Sequence, residues 1–112
     1  PLPRRTAALA MDRSVAAADV ARLLDVYGPT GAWLRAAREA RKLDLDAVSA
    51  STKVARRFLQ SMEEEAWASL PAATFVRGYL RVLIRTLELC PEAEEAEEAV
   101  QGYMARFHRD RD

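Results

Sequence analysis

Residues 70–87 read LPAATFVRGYLRVLIRTL, and this stretch decides the fold. Leu70-Pro71 marks a stop and a restart, since proline cannot continue a preceding helix but is tolerated where one begins. Beyond it, Val76, Leu80, Leu83 and Leu87 recur at i, i+4, i+7 and i+11, and Phe75, Tyr79 and Ile84 widen the stripe. That spacing predicts a helix of about four to five turns with one broad apolar face. Arg77, Arg81 and Arg85, four apart, share another face. Shorter amphipathic patterns on either side can bury their own stripes against this helix.

The bulk properties fit that picture. The chain has 112 residues, 50% of them hydrophobic and 30% charged, which suits one soluble globular domain with a modest core. Ala, Leu, Arg and Glu dominate, and no alternating strand pattern of useful length appears, so an all-α fold is expected. Net charge is zero but unevenly spread. Residues 30–90 hold ten basic and seven acidic side chains, whereas residues 91–100 hold five glutamates and no cation. The middle is only mildly basic, far from the excess of an avid nucleic-acid binder. One cysteine excludes an internal disulfide and fits a reducing compartment. No apolar run approaches the ~20 residues of a membrane span, and no signal peptide is visible, so this segment is expected in the cytoplasm without membrane contact. The chain begins at Pro1 rather than methionine. It is expected to be a piece of a longer protein, whose anchor or enzymatic domain could lie outside it.

Taken in order, residues 1–13 carry prolines and arginines without a period and read as a flexible lead-in. Ser14 can cap a helix over 14–27 whose apolar positions are Ala16, Val20, Leu23, Leu24 and Tyr27; Gly28-Pro29 ends it. This segment, 14–28, is an extra N-terminal helix or linker. Thr30 can cap a helix over about 31–42 with Leu34 and Ala37 inward and Arg35, Arg38, Glu39 and Arg41 outward. Trp33, just off that stripe, reads as packing against the 14–27 helix, with a partner contact as the alternative. Asp44 can cap a short helix over about 45–51. A tight connection at 51–54 leads to a helix over about 55–64 with Val54, Leu59 and Met62 inward and Phe58 at its edge. Two short helices, a three- to four-residue turn and a third helix form a helix-turn-helix layout.

Glu63-Glu64-Glu65 reads as a solvated helix end, and Trp67 as a core plug. Gly78, mid-helix, predicts close approach of a neighbouring side chain such as Phe58 or Trp67. Pro91 reads as the first residue of a last helix over about 91–108, with glutamates at its positive end and Ala96, Val100, Tyr103, Met104 and Phe107 inward. Residues 109–112 read as a frayed tail.

Residues 31–89 resemble the helix-turn-helix domain at the cytoplasmic N-terminus of RodZ-type proteins, a branch of the phage-repressor-like fold. LRAAREARKLDLDAVSASTKV, RRFLQSMEEEAWASLP and FVRGYLR carry the likeness, the last piece with Leu70-Pro71 being the most specific. The resemblance implies a compact five-helix bundle over 29–108, to which the 14–27 helix is an addition. It also implies a protein contact on the helix matching 72–88, in that family with an actin-like filament protein. By position, Arg77, Tyr79, Arg81 and Arg85 become contact candidates, with Phe58 beside them. Tyr79 also reads as core, and the arginines as a plain solvated face. Three positions depart from the family pattern. Lys42 stands where glycine is usual, Cys90 stands where an aspartate precedes the helix-starting proline, and the 14–27 helix lies outside the usual domain.

A DNA reader is the alternative. The 55–64 helix would then present Arg56, Arg57, Gln60 and Ser61 with Ala55, and Arg35, Arg38, Lys42 and Lys53 would reach phosphates. Three glutamates at the end of that helix and aromatic Phe58 at its edge favour a protein surface instead. Catalysis has little support. His108 is the single histidine and sits in the tail; Cys90 has no second cysteine near it, though a helix start would lower its pKa; no Gly-rich phosphate loop occurs. No cofactor or metal is expected. The partner's identity and the oligomeric state are not written in the sequence.

Overall fold

A computed structural model describes residues 17–111. They form α1 (Ala17–Tyr27), α2 (Gly31–Ala40), α3 (Leu45–Thr52), α4 (Arg56–Glu64), a single 3-10 turn (Trp67–Ser69), α5 (Ala73–Thr86) and α6 (Ala93–Arg111). No strand occurs among the described residues, so the fold is an all-α helix-turn-helix bundle. Ser14 and the lead-in at 1–13 lie outside the described residues.

Local chemistry sets the boundaries. Gly28 takes φ +68, a conformation open to glycine, and its N–H donates to the Leu24 carbonyl at 2.8 Å to close α1. Thr30 Oγ1 accepts from the Trp33 N–H at 3.2 Å, and Asp44 Oδ1 from the Ala47 N–H at 2.8 Å, so both expected N-caps form. Between α3 and α4, Lys53 turns the chain at φ 64, and Ser49 Oγ donates to the Val54 carbonyl at 2.7 Å. Val54 is buried, which pins the turn onto the core.

α2, α4 and α5 end alike. In each, a residue in the left-handed region is followed by an apolar one whose N–H reaches five residues back: Leu43 to Arg38, Ala66 to Ser61 and Leu89 to Ile84. This is the Schellman closure, which usually carries glycine at the left-handed position. Here Lys42, Glu65 and Glu88 hold it, at φ 58, 54 and 55. The missing glycine after α2 therefore leaves the turn geometry intact and loads it with backbone strain.

The core is continuous from Val20 of α1 to Phe107 of α6. Val76, Leu80, Leu83, Ile84 and Leu87 are all buried along α5, which packs on α3 and α6. Trp33 is fully buried in the core that Val20 also enters, and α1 packs on α2. Trp67 is buried edge-on to Tyr103 (5.5 Å between ring centroids) and Phe107 (5.7 Å). The Tyr103 hydroxyl donates to the Met62 carbonyl at 2.7 Å, and burial, reinforced by Glu65, raises its pKa above the ordinary tyrosine range.

Several expectations are overturned. Arg41, expected outward, is 2% exposed. Its Nε donates to the Leu87 carbonyl at 3.2 Å and it pairs with Glu88 at 3.8 Å, serving a helix end that has run out of backbone donors. The glutamates at 63 and 65 are structural rather than solvated. Glu63, with 6% of its side chain exposed, binds Arg38 through both oxygens at 2.7 and 3.0 Å, and Arg35 at 3.4 Å. Glu65 accepts from the Gly31 N–H at 2.8 Å and pairs with Arg106, so one carboxylate at the end of α4 sits on the positive end of α2 and holds α6. Gly31 permits that junction: a Cβ there would lie 2.2 Å from the Glu63 carbonyl oxygen.

The last helix also differs from expectation. It begins at Ala93, two residues beyond Pro91, and its first backbone bond runs from Ala96 to the Glu92 carbonyl. It continues through Arg111 instead of fraying, because that guanidinium donates to the Pro71 and Leu70 carbonyls at 2.8 and 3.1 Å and lies over the Phe107 ring. Gly78 has no close neighbour; a Cβ there would meet nothing within 4 Å.

Candidate functional site

Two surfaces hold the candidate residues. On the outer side of α4, Arg56 and Arg57 are exposed, Gln60 and Ser61 are half-buried, and Lys53 is exposed at the preceding turn. Much of this chemistry is already committed within the chain. Arg56 lies 3.0 Å from Asp46, and Gln60 donates to Glu64 at 3.1 Å. Of the proposed phosphate contacts, Arg38 is held by Glu63 and also donates to the Leu43 carbonyl at 2.8 Å. That Glu63 hydrogen bond raises the Arg38 pKa further. Arg35 leans on the same carboxylate. Glu63 and Glu65 are engaged by Arg38 and by Gly31 and Arg106, so of the three glutamates at the end of α4 only Glu64 is left exposed to repel a phosphate backbone.

The second surface is the outer face of α5. At ~100° per residue, Thr74, Phe75, Gly78, Arg81, Val82 and Arg85 share the side opposite the buried stripe. All are exposed except Val82, which is half-buried. Phe75, expected within the buried stripe, is instead 57% exposed. It lies about 100° round the helix from buried Val76, on the outward side. Tyr79 is half-buried and stacks on Phe58 of α4 with centroids 6.0 Å apart and planes at 19°. The Arg57 guanidinium covers the other partner of that stack, 4.7 Å from the Phe58 centroid. Phe75 and Tyr79 are neighbours at i and i+4. The structure therefore brings Phe58, Tyr79 and Arg57 together at the α4–α5 seam, with Phe75 alongside.

Arg77 is half-buried. Arg81 pairs with Glu97 of α6 at 2.8 Å, both half in solvent, so that pair contributes little to stability. Arg85 is exposed. Beside these two arginines, a groove of about 620 Å³ runs between α5 and α6 over Ile84, Cys90, Ala96 and Val100. Burial, with Glu95 adding, pushes the Cys90 thiol up to about 11. The sequence predicts the opposite direction from a helix start; α6 starts three residues later, so its dipole does not win over desolvation. Among the described residues, no group of three or more His, Cys, Asp and Glu side chains could hold a metal. No helix among them is long and apolar enough to cross a membrane.

A compact helical bundle carrying a two-helix turn motif, with its exposed chemistry on helix faces, defines a helix-turn-helix protein. The model of a helix-turn-helix domain family matches residues 33–94, which is 62 of the 112 residues, and the chain belongs to that family. No curated protein and no solved structure matches it.

Proposed function

We propose that this chain is a non-catalytic protein-interaction module, a RodZ-like helix-turn-helix adaptor that docks a filament-forming, actin-like protein on the outer face of α5. The observation that carries this reading is the exposure of Phe75 on the same flank of α5 as the Phe58–Tyr79 stack, with the Arg57 guanidinium over the Phe58 ring. Aromatic and arginine side chains clustered at a surface are the composition of binding hot spots. The resemblance of FVRGYLR and its surroundings to RodZ-type domains supplies the partner class. Residues 29–108 form the binding unit, with α1 as a brace and Arg77 and Arg85 extending the contact. The site works in the cytoplasm, as the cytoplasmic part of a membrane-anchored parent.

Co-sedimentation with a polymerised bacterial actin-like protein tests the proposal. The wild-type chain pellets with filaments, Phe75→Asp does not, and Lys53→Glu behaves as wild type. Loss in Lys53→Glu with retention in Phe75→Asp would contradict it. A second reading, a DNA-binding regulator using α4, draws on Lys53 and Arg57, which are exposed and make no ion pair with any described residue. Under that reading, duplex binding would weaken with salt by close to one log–log unit per phosphate contact.

A further inference from the structure

Gly78 stands at the centre of the outer face of α5. An exposed mid-helix position is where intrinsic propensity decides the choice of residue, and glycine is the poorest ordinary choice there. Within this chain nothing requires it. Its φ is not in the left-handed region, and an added Cβ would meet nothing within 4 Å. The other glycines have visible reasons: Gly28 its positive φ, Gly31 the Glu63 backbone, and Gly102 the Pro29 ring, 2.7 Å from a Cβ built there. Gly78 is flanked by protruding side chains: Phe75 and Val82 on one side, Thr74 and Arg81 on the other, with Arg85 two turns on. The result is a shallow notch between an aromatic ridge and a cationic one.

We propose that Gly78 is a specificity-determining contact: a helix of the protein partner crosses α5 at this notch, its backbone against Gly78, its apolar side chains against Phe75 and its acidic ones toward Arg81 and Arg85. This rests on the reading of α5 as the docking face and adds the element that docks there. Small residues at helix crossings let backbones approach closely, whereas side chains keep helix axes 8–10 Å apart. Charge sets the occupant's chemistry. The outer face of α5 carries Arg81 and Arg85 and no carboxylate of its own; Arg81 holds a half-exposed pair with Glu97 of α6 that a partner carboxylate can share, and Arg85 makes no ion pair with any described residue.

The test compares Gly78→Ala and Gly78→Leu with Ala50→Leu, at an exposed position of α3 away from that face, as a control, by thermal unfolding and by co-sedimentation with a polymerised bacterial actin-like protein. Both Gly78 variants melt at or above the wild-type temperature, since nothing clashes and helix propensity rises. Their filament affinity falls, severalfold for alanine and at least tenfold for leucine, while Ala50→Leu changes it less than threefold. Wild-type affinity in Gly78→Leu overturns the notch and leaves the docking face standing. Equal loss in Ala50→Leu also overturns it. A wild-type chain that does not pellet overturns the docking reading and this inference with it.

Discussion

Replacing Glu63 by alanine separates the structure from a simple reading of the acidic triplet. Glu63 has 6% of its side chain exposed and Arg38 12%, and two hydrogen bonds of 2.7 and 3.0 Å join them. Removing one partner of a buried pair costs about 3–5 kcal/mol, because the other charge stays desolvated. Arg38 keeps the Leu43 carbonyl and some solvent, so the low end applies, about 3 kcal/mol. At ~4–8 °C per kcal/mol for a domain of this size, the melting temperature falls by roughly 12–24 °C. Glu64→Ala, on an exposed position of the same triplet, changes stability by less than about 0.5 kcal/mol. Thermal melts followed by circular dichroism at 222 nm measure both. A double variant, Glu63→Leu with Arg38→Met, recovers most of the loss, since an apolar pair leaves no orphaned charge. Equal, small effects at Glu63 and Glu64 would show that the carboxylate–guanidinium junction between α2 and α4 does not form.

The strained helix ends give opposite outcomes for one substitution. Lys42→Gly raises stability by up to about 1 kcal/mol in urea titrations by relieving a left-handed lysine, whereas Glu65→Gly lowers it, because the contacts to Gly31 and Arg106 go with the side chain. Gly31→Ala destabilises by at least about 2 kcal/mol, since the carbonyl it meets is backbone and cannot swing away. Tyr103 has a raised pKa in the folded state, so its contribution is complete below the unfolded value near 10 and is lost as pH climbs beyond it. Tyr103→Phe removes that alkaline loss from the stability–pH curve and costs about 1–2 kcal/mol at neutral pH by orphaning the Met62 carbonyl. Cys90, with its thiol near 11, alkylates with iodoacetamide at pH 8 many times more slowly than free cysteine, and its rate still rises at pH 10.

Periodicity and caps made most of the fold legible. The buried stripe of α5, the inward positions of α6 and the caps Thr30 and Asp44 all follow from local rules that the tertiary structure respects. The misreadings share a cause. Arg41, Glu63 and Glu65 lie where a single helix would point them at water, yet Arg41 is recruited by the end of α5, Glu65 by the start of α2 and Glu63 by the Arg38 guanidinium. A sequence shows that a terminus lacks partners, but not which distant side chain will supply them. Arg111 is the same case at the tail, where two carbonyls near Pro71 hold a helix that composition alone leaves frayed. At the candidate site, the stripe rule took in Phe75 because it is apolar and adjacent, whereas the turn of about 100° between it and buried Val76 carries it to the outward side. The Phe58–Tyr79 stack was foreshadowed only as two edge aromatics on different helices.

The central claim is that the outer face of α5, rather than that of α4, meets the partner. Photocrosslinking tests it most directly, with benzoylphenylalanine placed in the parent protein in cells at Phe75 or at Gln60. Irradiation should give a discrete protein adduct from position 75, identified by mass spectrometry as an actin-like filament subunit, and none from position 60. A nucleic-acid adduct from position 60 with no adduct from position 75 would contradict the account.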